Sequence, residues 1–118
     1  MLRKWYLDWK RERWFKEMDF KPVTPRQREL LTQMLYSTLV EIRHLCWENK
    51  MEQAAALADA FHNLPSGIYA DNFSFPRFKG ELESYQSKYR PPDYGKGFDY
   101  TDMLEKVMRG EDLFPDAQ

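Results

Sequence analysis

Residues 24–64 read TPRQRELLTQMLYSTLVEIRHLCWENKMEQAAALADAFHNL, and this stretch decides the fold class. Thr24-Pro25-Arg26-Gln27 opens it as a helix start. The Thr24 hydroxyl can accept from the backbone N–H three residues on, and Pro25 loses no useful donor at the first helical position. Gln27 stands where a capping box places Glu or Gln. No Gly or Pro follows until Pro65.

At about 100° per residue, Leu31, Met34, Leu35, Thr38, Leu39, Ile42, Leu45 and Cys46 fall on one broad apolar face. Tyr36, Val40 and Trp47 make a narrower apolar stripe roughly opposite, and Gln33, Ser37, Glu41, His44 and Glu48 form a polar strip between them. A helix apolar on two sides is expected to be gripped from two sides. Residues 25–48 are therefore predicted to be the central helix.

Asn49-Lys50 is the expected break, because Asn tolerates the left-handed conformation that ends helices. The following MEQAAALADAFHNL is dense in good helix formers, with Ala54, Leu57, Ala58, Phe61 and Leu64 on one stripe. Its alanines allow close approach to a neighbour. So short a turn makes the two helices antiparallel neighbours, and the expectation is a central antiparallel helical hairpin, 25–48 against 51–64. Pro65-Ser66-Gly67 should then stop the run.

Outward from the hairpin, the chain is expected to be all-α, a compact bundle of four to five helices at 1–18, 25–48, 51–64, 76–90 and 100–109. At 118 residues it reads as a single helical domain. The β-branched residues are scarce, with four Thr, three Val and two Ile, which argues against a large sheet. Residues 1–18 form a Trp-rich basic helix. Leu2, Trp5, Tyr6 and Trp9 share one face, while Leu7, Trp14, Phe15 and Met18 gather on the other.

After Pro65 the sequence SGIYADNFSF has no clean period and reads as a loop. Phe78, Leu82, Tyr85 and Tyr89 then mark a one-sided amphipathic helix weakened by Gly80. Pro91-Pro92 ends it, and 93–98 reads as an open loop. Asp99 or Thr101 can cap a short last helix carrying Tyr100, Met103, Leu104, Val107 and Met108, with Gly110 as its stop. Residues 111–118 are expected to be a frayed tail, from which Leu113 and Phe114 can dock.

Charge is unevenly spread. Residues 1–28 hold nine Lys/Arg against four Asp/Glu, and residues 29–118 hold nine against fifteen. Such asymmetry marks a nucleic-acid or acidic partner, or lets one half of a protein hold the other. One cysteine cannot make an internal disulfide, which fits a reducing compartment. No apolar run reaches the roughly 18–20 residues of a membrane span. The charge-interrupted N-terminus does not read as a secretory signal. A cytoplasmic protein is the expectation.

Four constellations could carry chemistry. His44, Cys46, Asp59 and His62 include metal-ligand types. Across the expected hairpin the two histidines are offset by about six residues, roughly 9 Å along the axis, and His44 and Cys46 point about 200° apart. Cys46 as a nucleophile is disfavoured because it lies on the main apolar face, where a free cysteine behaves as a small buried hydrophobe. Gly95-Lys96-Gly97 is too short for a phosphate loop. Tyr85, Tyr89, Tyr94, Phe98 and Tyr100 could form a contact surface, but covering the end of a small core is the favoured reading.

No catalytic residue, cofactor or metal is thus expected, and no small-molecule ligand is identifiable. The leading reading is a small non-enzymatic interaction or adaptor protein, bound to another protein or to itself. Trp5, Trp9, Arg13, Trp14, Met18 and Tyr94 are the candidate partner-binding residues. A nucleic-acid-associated protein using the basic, Trp-rich N-terminal segment is the alternative, although Asp8, Glu12, Glu17 and Asp19 break up its basic patch. An enzyme with an unrecognised site comes last.

Overall fold

The computed structural model describes residues 2–89 and 99–114, which form six α-helices. These are α1 (Leu2–Met18), α2 (Pro25–Trp47), α3 (Met51–Phe61), α4 (Leu64–Tyr69), α5 (Phe75–Tyr89) and α6 (Tyr100–Arg109). The all-α helical bundle is therefore present, with one helix more than the periodicity predicts.

The start of α2 is built as its sequence requires. The Thr24 hydroxyl accepts from the Gln27 N–H at 3.0 Å, the Gln27 side chain accepts from the Thr24 N–H at 3.0 Å, and Pro25 fills the first helical turn. Asn49 follows the helix with a φ of 62°, the left-handed conformation asparagine tolerates. The chain then packs α3 against α2, and α5 against α3. Helix α6 closes the body by resting on both α2 and α5. Asp99 caps it, accepting from the Asp102 N–H at 3.2 Å, and Gly110 ends it at a φ of 72°.

The core is centred on Leu30, Leu31, Met34, Leu57, Leu64, Leu82, Tyr100 and Leu104. Phe61 meets Phe78 and Tyr100 edge-on, with ring centroids at 5.1 and 5.3 Å, an arrangement aromatic pairs favour. The expected one-sided stripe of α5 is buried at Phe78, Leu82 and Tyr85 and half-buried at Tyr89.

Four expectations are corrected. The buried arc of α2 is rotated from the apolar face read on the wheel: Leu30 and Ser37 are buried and Glu41 half-buried, whereas Leu39 is 58 % exposed and Cys46 is exposed. Burying Ser37 and Thr38 costs little, because their hydroxyls donate to the carbonyls of Gln33 and Met34 at 3.2 and 2.9 Å. Second, Tyr36 and Trp47 are exposed and Val40 is only half-buried, so among the described residues that stripe is not enclosed. Third, on α3 Ala60 is buried in place of Ala58.

Fourth, Pro65 stands in the first turn of α4 instead of ending α3, since proline is tolerated there. Gly67 within α4 lets Phe73 approach closely, for a Cβ there would lie 2.9 Å from the Phe73 ring. The expected docking of Leu113 is present, for its side chain is buried. Arg26 holds the segment before it by an ion pair to Asp112 and a 3.4 Å hydrogen bond to the Gly110 carbonyl.

Candidate functional site

Helix α1 stands apart from the body. None of its 17 residues is buried, and its main contact is with α5. At 1.5 Å per residue it is about 25 Å long, a large part of the molecule's 55 Å longest dimension. Its root is firmly tied. The Ser74 hydroxyl donates to the Met18 carbonyl while accepting from the Arg77 N–H at 3.1 Å, so one side chain joins the end of α1 to the start of α5. Lys21 and Phe73 then exchange two backbone hydrogen bonds of 3.0 and 2.8 Å.

The two apolar stripes of α1 have different fates. The one carrying Trp14, Phe15 and Met18 meets the root: Trp14 and Phe15, themselves still exposed, lie within 6.0 and 6.1 Å of the Phe20 ring, and Met18 is half-buried. The other stripe is left open among the described residues. Leu2, Trp5, Tyr6 and Trp9 are all exposed, Trp5 by 69 % and Trp9 by 46 %. The Tyr6 and Trp9 rings lie 6.2 Å apart, and the Arg13 guanidinium sits 5.5 Å from the Trp9 ring centre while pairing with Glu17 at 3.0 Å. Arg3, Lys10 and Lys16 flank this stripe and Lys4 and Arg11 lie on the far side of the helix, all exposed.

An open groove of about 590 Å³ runs between α3 and α5 and reaches the root of α1 at Met18. Four small residues line it, Ala56 and Ala60 from α3 and Gly80 and Ser84 from α5, with Tyr85 and Tyr89 beside them. Of the charged residues along it, Arg77 pairs with Glu81 at 3.7 Å and Lys88 with Glu52 at 3.8 Å. The exposed Asp59 carboxylate has no partner among the described residues. A second cavity of about 250 Å³ lies between α4 and the start of α5. The Asn63 amide nitrogen at its wall is buried and unpaired among the described residues.

The other constellations separate. His44 lies edge-on to the Trp47 ring at 5.5 Å, and the His62 ring bonds the backbone carbonyl of Asp59 instead of its carboxylate. Among the described residues, no three His, Cys, Asp or Glu side chains are placed to hold a metal ion. In the tyrosine series, Tyr85 and Tyr100 belong to the core, while Tyr94 and Phe98 lie outside the described residues. No helix among the described residues is long and apolar enough to cross a membrane.

The groove was not legible as such. Its signal was the i, i+4 spacing of Ala56 and Ala60 and of Gly80 and Ser84, which a wheel shows only as an unremarkable small-residue edge. The fold thus defines a helical bundle bearing a projecting aromatic and basic helix. No protein-family model matches the chain, and no curated protein or solved structure is detectably similar to it.

Proposed function

We propose that this chain is a small non-enzymatic interaction protein and that α1 is its partner-binding arm. One observation carries the reading: a 17-residue helix buries nothing yet presents Leu2, Trp5, Tyr6 and Trp9 together. A helix of this length is marginal alone in water, and a cluster of large exposed side chains is the kind of patch that marks an interface. Tryptophan, tyrosine and arginine are also the residues that most often dominate binding energy. Trp5, Trp9 and Arg13 form the contact, and Trp14 and Met18 fix the arm at its root. A cytoplasmic location belongs to this reading, supported by the single cysteine.

Trp5→Glu/Trp9→Glu tests it. Because both side chains are exposed, the double variant should melt like the wild type while losing association, measured by light scattering on the pure protein and by affinity capture from the native cell. Association that persists in the variant overturns the reading. The nucleic-acid alternative draws on the six exposed basic residues of α1 and predicts binding that falls steeply with salt. Asp8, Glu12 and Glu17, interleaved on the same helix, weigh against it.

A further inference from the structure

Among the described residues, nothing that packs on Gly80 requires it to be glycine. It lies inside α5, where glycine costs stability relative to alanine. A Cβ built there meets nothing within 4 Å. The space above it is the groove between α3 and α5. A helix interior that forgoes a side chain over an open trough is shaped for something that enters from outside.

We propose that the groove receives the N-terminal half of α1 from a second copy of this chain, in a two-fold dimer that exchanges arms. The proposal rests on the reading of α1 as an interaction arm, and it names the arm's occupant and seat. Size fits first. Trp5 and Trp9 stand i, i+4 on the arm, the same spacing as Ala56 and Ala60, and as Gly80 and Ser84, so large residues on one helix oppose small ones on the other two.

Charge fits as well. Helix α1 holds six Lys/Arg against three Asp/Glu, whereas residues 19–118 hold twelve against sixteen. The arm is thus net positive and the rest of the chain net negative, so a copy of the body attracts it. Along the groove, the unpaired Asp59 carboxylate offers a site for Arg3 or Lys4 of the incoming arm. Symmetry supplies the last argument. Met18 at the root of α1 also lines the groove. An arm lying antiparallel to its host's own α1 therefore brings its tip to the host's root, and a two-fold axis fills both grooves at once.

Sedimentation of the full-length protein over a concentration series, with variants, tests the exchange. Wild type should dimerise, and Trp5→Glu/Trp9→Glu and Gly80→Met should each be monomeric. Gly80→Met should melt no lower than wild type, because its side chain enters open space. Mixing these two monomeric variants should give a heterodimer weaker than the wild-type dimer, since the intact arm of one enters the intact groove of the other while the second arm–groove contact is lost. Asp59→Lys should weaken the dimer by about tenfold or more, and Arg3→Asp/Lys4→Asp in the same chain should recover part of that loss.

A monomeric wild type at hundreds of micromolar overturns the proposal. A dimer lost in Trp5→Glu/Trp9→Glu but kept in Gly80→Met overturns the groove while leaving the arm reading intact. A dimer indifferent to both sets of substitutions overturns both.

Discussion

The phenol of Tyr100, completely buried, donates a hydrogen bond to the Glu41 carboxylate and so ties α6 to α2. The same residue's N–H donates to the Gln86 side chain of α5 at 2.7 Å. Tyr100 therefore joins three helices at one point. Hydrogen bonds to charged groups contribute about 1.5–3 kcal/mol, so Tyr100→Phe should lower stability by about that much. Urea unfolding with an unchanged slope is the measurement, and a loss below about 0.5 kcal/mol would show the bond to be net neutral.

The rotated face of α2 gives a paired test. Leu30 is completely buried, and Leu30→Ala should cost about 2–5 kcal/mol. Phe61→Ala should cost about 3–5 kcal/mol. Leu39→Ala should stay within about 0.5 kcal/mol, since Leu39 is largely exposed on the same helix. Thermal melts of the three variants that ranked Leu39 with the others would place the core on the wrong arc.

Cys46 is exposed, contrary to its place on the sequence's apolar face. A thiol reagent should therefore modify the native protein at a rate close to that of the unfolded chain. Strong protection in the folded state would contradict the structure, or show that a partner covers this end of α2.

Burial raises the Tyr85 phenol above its ordinary value of 10.0, against the lowering effect of a hydrogen bond from Gln53, with smaller upward contributions from Glu41 and Tyr89. The folded protein thus holds this proton to higher pH than the unfolded chain does. Its contribution to stability is intact below the ordinary phenol value and is lost as pH rises through the folded one. The melting temperature should fall above about pH 10, and more gently in Tyr85→Phe. Parallel profiles for the two proteins would refute the assignment.

Local chemistry written in neighbouring residues was legible without the fold. Thr24-Pro25-Arg26-Gln27 can do little but start a helix, Asn49 readily ends one, and Asp99 and Gly110 bracket α6. Each of these depends on contacts within a few residues, which the sequence states directly. The excess of aromatics on α1 was legible in the same way, because Leu2, Trp5, Tyr6 and Trp9 recur with the helical period.

Only the tertiary structure decided which side of a helix is covered. Periodicity finds apolar residues, but a neighbour's position chooses the buried arc. On α2 that arc includes Ser37 and Glu41, because a local carbonyl satisfies the one and Tyr100 the other. It leaves out Leu39 and Cys46. Pro65 read as a stop, yet proline is compatible with both a helix end and the first turn of a helix, and here it stands in the first turn of α4. The groove beside Gly80 is likewise a property of two helices and the distance between them. A small residue in a sequence is equally suited to tight packing and to empty space, and only the position of its neighbours distinguishes the two.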